Sequence, residues 1–443
     1  MAKDLQLSFT DKEITPWGGL SLMSRLLKKA GFREALQGAG LPLKGSNRGY
    51  DPEQLIEQFL IGVWCGANRF EHMEVTRHDE AIRQIFGYER MAGHKAFVRH
   101  FGKFTQGINQ RVFGKLYRWF YEQLQFDNFT LDMDSTVMSR YGNQEGARRG
   151  YNPQKPGRNS HHPLLAFVAD CRMVANCWLR SGDAHTANNF HGFLSDTIEK
   201  LSGKKIGLLR ADSGFFSKDI IEHLENPERS IPYIIAVRLH RTLQRMLAGH
   251  RQWQALDDGI DVASIDYESP GWGKARRMVM VRQLITRRPK ATGKILKLFA
   301  DDAEYQHYRY GCFVTSLDLP AELVWKIYRM RADAENRIKE LKYDFGADSF
   351  NIKNFSATEA TMNFVMLAYN IMSLFRQVVL GGKVQPTLKT LRYKVFAVGG
   401  YLTKNGNARV LKLSLAMRRR EWFTGLWDKS RAFDLPAIFP SHL

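Results

Sequence analysis

Cysteine is scarce in this 443-residue chain: Cys65, Cys171, Cys177 and Cys312 lie far apart, with no C-x2-C pair. That spacing excludes a structural zinc site, which needs two close ligand pairs, and predicts four reduced, mostly buried thiols. Acidic side chains are also in deficit, 45 against 65 Lys plus Arg, for a formal net charge of +20. No apolar run approaches the roughly 18 residues that a bilayer span requires. The opening M-A-K-D-L-Q-L-S-F lacks the shape of a secretory signal, so a cytoplasmic protein without membrane attachment is expected. Long compositionally biased tracts are missing too, and with 44% hydrophobic residues the chain reads as globular, not as a disordered basic tail. Its length allows about two to four domains. The basic excess suits a phosphate backbone, although it fits a membrane surface or an acidic protein as well.

Three segments carry the chemistry. Y-R-M-R-A-D-A-E-N-R-I-K-E-L-K places Tyr328, Arg331, Glu335 and Lys342 at the spacing Tyr-x2-Arg-x3-Glu-x6-Lys. Free of Gly and Pro, the segment is expected to be one helix, and at about 100° per residue the four side chains share a stripe about 60° wide. A helix packed on a core would put apolar residues there. In F-T-L-D-M-D-S-T-V, alternation sends Asp132, Asp134 and Thr136 to one face of a strand and Leu131, Met133 and Ser135 to the other. K-K-I-G-L-L-R-A-D-S-G-F-F is a short apolar run ending in Asp212. Two strand-borne aspartates and one helix-borne glutamate suit a pair of hard divalent cations, provided that the three carboxylates meet in the folded chain.

These segments resemble the DDE transposases of bacterial insertion sequences, specifically the cut-and-paste branch with the Tyr-Arg-Glu-Lys signature. The resemblance covers the core from about Phe126 to about Phe375 and, more weakly, the N-terminal region. It implies an α/β fold: a ribonuclease-H-like catalytic core interrupted by a mostly β insertion, with a helical N-terminal domain and a helical C-terminal tail. It further implies Asp134, Asp212 and Glu335 as the catalytic acids and ligands of two Mg²⁺ ions, with Mn²⁺ as a substitute. Asp132, on the same strand face, is the alternative first acid. Tyr328, Arg331 and Lys342 are the residues expected to meet phosphates. Terminal inverted repeats and target DNA are the implied double-stranded partners, with a homodimer in the DNA complex. The implied reactions are hydrolytic nicking, a hairpin step and strand transfer. A nuclease or resolvase that cuts without joining, a non-catalytic DNA-binding descendant of a transposase, and a two-carboxylate sugar hydrolase are the rival classes.

Along the chain, residues 1–125 read as several short helices; the resemblance implies a DNA-binding domain there, with a helical packing domain as the alternative. Ser21 to Gly31 predicts a helix stopped by Gly31, and Asp51 with Pro52 opens another. Residues 126–239 read as the first part of the core, built from short strands, and 240–308 as the β insertion. The second part of the core, 309–380, holds the glutamate helix and then an apolar helix expected to pack on the sheet. Residues 381–443 form a region for DNA contact or dimerisation. Between the first two strands, Q-E-G-A-R-R-G-Y-N-P-Q-K-P-G-R-N-S predicts a long exposed loop whose Arg148, Arg149, Lys155 and Arg158 are candidates to contact DNA, with a plain solvated loop as the alternative. His162 and His185 are secondary candidates for the site. Trp253 and Trp272 are candidates for stacking on a flipped base, with core packing as the alternative.

Overall fold

The computed structural model of the protein describes residues 5–257, 259–269, 271–284, 308–382 and 384–440. The chain divides into two units: Met1–Gln125 with Gly142–Glu145 and Ile338–Ile438, and Phe126–Tyr141 with Gly146–Arg337 and Phe439–Leu443.

The first unit is mainly helical. Its helix Ser21–Lys29 stops where expected, with Gly31 in the left-handed region at φ 65. Pro52 opens the helix Pro52–Cys65, whose N-cap Asp51 directs its carboxylate to Lys44 (2.9 Å) instead of to the helix amides. The apolar helix Phe355–Phe375 is capped by Asn354, which accepts from the amide of Ala357 at 2.9 Å. Its packing within this unit is close on all sides. Every residue from Ala360 to Phe375 is buried, and a helix apolar on all sides needs partners all round. Helices Pro52–Cys65, His94–Phe101 and Gln106–Glu122 of the same unit supply them. Phe364 sits among Phe101, Phe104 and Phe113, with ring centroids 5.9, 6.0 and 4.9 Å away, and Trp64 donates its indole N–H to Ala368 O at 3.1 Å. A correction concerns length. Phe355–Leu380 is long and apolar enough to cross a membrane by length and composition, and 83% of its apolar window is buried inside the protein.

The second unit holds one large mixed sheet. Its strands, in chain order, are β1 (Phe129–Ser135), β2 (Leu164–Val168), β3 (Met173–Trp178), β4 (Ile206–Ala211), β5 (Tyr233–Ala236), β6 (Gln254–Asp257), β7 (Ile260–Tyr267), β8 (Arg276–Leu284) and β9 (Tyr308–Thr315). Among the described residues they lie in the order β6-β7-β8-β9-β5-β4-β1-β2-β3. β1 runs parallel to β4 and β4 parallel to β5, while β2, β3 and β9 pair antiparallel with their neighbours. The expected strands of 126–239 all form. β1 is buried from Phe129 to Asp134, the signature of a strand covered on both faces. The strands expected in an insertion, β6 to β8, continue the same sheet through β9, and residues 285–307 of that stretch lie outside the described residues. Val324 and Trp325 of the helix Ala321–Arg329 pack on Leu208, Ile234, Val279 and Phe313, which seats this helix on the sheet.

The segment expected as a long loop is partly ordered. Met138–Ser139, Arg148–Arg149 and Asn159–His161 form a small three-stranded sheet. The reason is close backbone approach: a Cβ on Gly150 would fall 1.9 Å from Gly182 O, and one on Gly182 would fall 2.1 Å from Ser160 O. Glycine there allows packing, not flexibility.

Replacing Phe364 with Ala leaves a cavity in the aromatic cluster, and a loss of about 3–5 kcal/mol is expected in denaturant unfolding. A change below about 1 kcal/mol would place Phe364 outside the core of its unit.

Candidate active site

Parallel pairing of β1 with β4 sets the geometry. The register couples Asp132 with Arg210 and Met133 with Ala211, so the next residues, Asp134 and Asp212, stand at the neighbouring carboxyl ends of two adjacent strands. Ligand sites in mixed and parallel sheets form at such ends.

The two aspartates of β1 share a face but not an environment. Asp132 is fully buried and takes both oxygens into a fork with Arg210, Nε to Oδ1 at 2.6 Å and Nη2 to Oδ2 at 2.8 Å. Arg210 Nη1 also donates to Ile327 O at 2.6 Å, tying the helix Ala321–Arg329 to the strands. Asp132 is therefore consumed in holding the fold. Asp134 is 7% exposed. Its Oδ1 accepts from the amide of Ser135 at 2.7 Å and its Oδ2 meets Arg331 Nη2 at 2.8 Å. Burial raises its carboxyl to about 6; Arg331 opposes the rise, while Asp212 and Glu335 add to it. The field of all three acids is thus felt at one carboxyl. Asp212, half-buried, caps the turn Ser213–Phe215 by accepting from Gly214 N at 3.0 Å. Glu335 is exposed.

The expected single helix through Tyr328 and Lys342 is corrected. Ala321–Arg329 and Ala332–Tyr343 are separate helices. Between them the chain tightens, with amides of Arg331, Asp333 and Ala334 bonding three residues back to Tyr328, Met330 and Arg331. The turn lets the Arg331 side chain enter the sheet end, where it is buried and donates to Met133 O (3.3 Å) as well as to Asp134. Its Nε is buried without a hydrogen bond. Burial works against the guanidinium charge, but Asp134, with Tyr328, Asp212 and Asp132, raises it above the ordinary arginine value. Tyr328 donates to Ala211 O at 3.4 Å, and burial pushes its phenol up to about 12. Lys342, half-buried, lies in the last turn of the glutamate helix, past the unit boundary at 337/338.

His162 joins this neighbourhood. Its Nδ1 lies 2.9 Å from Ala184 O, which only accepts, so Nδ1 carries the proton. Burial lowers the imidazole pKa, which favours the neutral ring, and Nε2 then accepts from Ser135 Oγ at 3.1 Å. Ser135 Oγ also bonds Thr186 Oγ1 (3.2 Å). Thr186 packs so closely on Gly214 that a Cβ there would fall 2.8 Å from its methyl. Arg180, buried, holds the loop: Nε donates to His162 O (3.0 Å) and Nη1 to the carbonyls of His185 (2.9 Å) and Asn188 (2.8 Å). His185 itself is exposed. Sequence reasoning missed Arg180, Arg210 and Thr186, because a buried arginine looks like any other basic residue in a +20 chain.

The basic hairpin beside β1 stays at the surface. Arg148 and Arg149 are exposed, with Arg148 on Asp183 at 3.2 Å. Lys155 and Arg158 flank the ring of exposed Tyr141, each 4.8 Å from its centroid. Both tryptophans carry an arginine over the ring. Trp272 is buried, edge-on to Phe216 and Tyr267 with Arg276 5.0 Å over its ring. Half-buried Trp253 carries Arg282 at 4.7 Å. All four cysteines are free thiols and all but Cys65 are buried, as expected.

The described fold is a mixed α/β one with two aspartates at neighbouring strand ends. The chain belongs to the family described as transposase DDE domain group 1, whose model matches residues 1–432, and the protein is a DDE transposase. No curated protein matches the sequence. Among solved structures the chain is similar to the one titled "Cryo-EM structure of piggyBac transposase synaptic complex with hairpin DNA (SNHP)", at 13% identity and a TM-score of 0.43 over 86% of this chain and 79% of that one.

Divalent-metal use is general in this family, and three carboxylates are the right donors for a hard cation. Their arrangement does not fit one here. Among the described residues no three His, Cys, Asp or Glu side chains come together to hold a metal ion. At Asp134 both oxygens are engaged, one by Arg331 and the other by the Ser135 amide.

Two outcomes follow. Asp132→Ala leaves Arg210 buried without its counter-charge and is expected to cost about 3–5 kcal/mol by denaturant unfolding, with Asp132→Leu/Arg210→Met recovering most of the loss. If the double variant were as unstable as the single one, the pair would not be the cause. Carboxyl NMR of the metal-free protein should show Asp134 titrating near 6, above the ordinary 3.8. Because the folded value is the higher one, the contribution of Asp134 to stability is complete below pH 3.8 and is lost as the pH rises through about 6. A midpoint near 3.8 would contradict its burial.

Proposed function

We propose that this transposase excises a bacterial insertion sequence and integrates it into target DNA, by metal-dependent phosphoryl transfer on a ribonuclease-H-like core. The single observation that carries the reading is the register setting Asp134 beside Asp212 at adjacent strand ends. The strand order β3-β2-β1-β4-β5, antiparallel on one side of β1 and parallel on the other, supports the core assignment.

In this reading Asp134, Asp212 and Glu335 are the acids of the reaction, and Mg²⁺, two ions with Mn²⁺ as substitute, is the cofactor. Bound ions of this kind supply Lewis-acid stabilisation of phosphoryl oxygens. The protein's own side chains bind and orient the DNA. Arg148, Arg149, Lys155 and Arg158 on the exposed hairpin track the phosphate backbone, a sequence-independent and salt-sensitive contribution. Arg331 suits two oxygens of one phosphate through its planar fork, Lys342 acts as a point charge, and Tyr328 offers a hydroxyl donor. Hydrolytic nicking at the terminal inverted repeats, a hairpin step and strand transfer by a homodimer complete the proposal, which places the protein on cytoplasmic DNA.

Purified protein incubated with Mn²⁺ and DNA carrying the element's ends should cleave it, and Glu335→Gln should lose nearly all cleavage while still binding DNA. Equal cleavage by the two proteins removes Glu335 from the chemistry. In the same binding assay Lys155→Ala/Arg158→Ala should lower the dependence of affinity on salt by about two phosphate contacts.

A further inference from the structure

The small sheet beside β1 holds one exposed phenol between two cations. Met138–Ser139 pairs antiparallel with Ser160–His161, and Arg140 N donates to Asn159 O at 2.8 Å, so continuing the register sets Tyr141 opposite Arg158. A built turn brings Lys155 to the same ring. Buried Asn152 donates from Nδ2 to Ser139 Oγ (3.1 Å) and accepts from the Lys155 amide (3.0 Å). Lys155, Pro156, Gly157 and Arg158 then close on themselves, Arg158 N to Lys155 O at 3.2 Å, with Gly157 in the left-handed region at φ 76. Both cations lie 4.8 Å from the ring centroid, and Lys155 Nζ also donates to the phenol oxygen. Cations packed only on the ring face would leave that oxygen untouched. Here the hydrogen bond from Lys155, helped by the charges of Lys155 and Arg158, lowers the phenol below its ordinary pKa. Tyr141 is 67% exposed, so its oxygen is open to a reagent in solution.

We infer that Tyr141 is a modification site: its phenol accepts a phosphoryl group from a nucleoside triphosphate under a protein tyrosine kinase, and the ester then occupies Lys155 and Arg158 and withdraws them from DNA. The inference rests on the DNA role proposed above for these two residues. In the transfer the phenol oxygen bonds to the terminal phosphorus and the bond from that phosphorus to its bridging oxygen breaks. The nucleoside diphosphate leaves with that electron pair, and the phenolic proton passes to a base of the kinase. The ester carries about two negative charges, enough to match the two cations. Arg158 suits its oxygens as a planar fork and Lys155 as a point charge. Ion pairs this exposed add little to the stability of the fold. Their consequence falls on DNA, because the ester and the DNA backbone compete for the same two side chains.

Acetylation of the full chain by N-acetylimidazole, followed by peptide mass spectrometry, tests the phenol. Tyr141 should react several times faster than Tyr151, Tyr343 and Tyr393, which are 74, 76 and 73% exposed and so control for access. In Lys155→Ala/Arg158→Ala its rate should fall to theirs. Wild-type rates already equal at all four tyrosines overturn the proposal. With a broad-specificity tyrosine kinase and ATP in place of the acetylating reagent, Tyr141 should take most of the phosphate, and phosphate on the control tyrosines alone overturns it as well. Full-length protein carrying phosphotyrosine at position 141, installed during translation, should bind duplex DNA about tenfold more weakly at low salt than unmodified protein, with a salt dependence lower by about two phosphate contacts, whereas Tyr141→Phe should bind as wild type. If the phosphorylated protein binds as tightly as the unmodified one while Lys155→Ala/Arg158→Ala binds more weakly, the switch is overturned and the hairpin keeps its DNA role. If all three bind alike, the DNA reading of the hairpin falls together with the switch.

Discussion

A carboxylate held out of water has to be neutralised, and the sheet of the second unit meets that need twice on one strand. β1 carries Asp132 and Asp134 into the centre of a sheet, on one face, and each receives its own arginine. The two pairs differ in kind. Asp132–Arg210 is a closed fork between adjacent strands, reinforced by the carbonyl of Ile327. Asp134–Arg331 joins a strand end to a turn, and its acid feels the charges of Asp212 and Glu335. Burying charges is costly unless each is paired, and each of the two aspartates has its arginine.

Around this centre, neutral contacts set orientation. His162, protonated at Nδ1, and Thr186 fix the hydroxyl of Ser135, whose amide in turn holds Asp134. Arg180 spends its donors on backbone carbonyls of the loop that carries Thr186. Burial lowers its guanidinium to about 10. The loop links the first acid to the turn beyond the second, since Thr186 also touches Gly214.

Much of this was legible in the sequence. The strands of 126–239 announced themselves as short apolar runs, and alternation alone placed Asp132 and Asp134 on one face. The spacing from Tyr328 to Lys342 named the right segment but not its shape, because the break at Met330–Arg331 follows from Arg331 reaching Asp134, a contact some two hundred residues away in sequence. Composition could not show which arginines are buried, so Arg180 and Arg210 stayed hidden among surface charge. The Gly- and Pro-rich stretch after β1 read as loop since backbone crossings such as Gly150 over Gly182 leave no mark in hydropathy. The helix Phe355–Phe375 read correctly as buried, but its partners are decided by aromatic packing that only the fold assembles.

The central claim is that Asp134, Asp212 and Glu335 serve one reacting centre. Fe²⁺-directed hydroxyl-radical cleavage of the polypeptide, in complex with DNA carrying the element's ends, tests it most directly, because radicals cut the backbone only beside the bound ion. Cuts clustered at all three positions, and lost together in Asp134→Asn, are the predicted result. Cuts that spare any one of the three, or that persist unchanged in the variant, would contradict it.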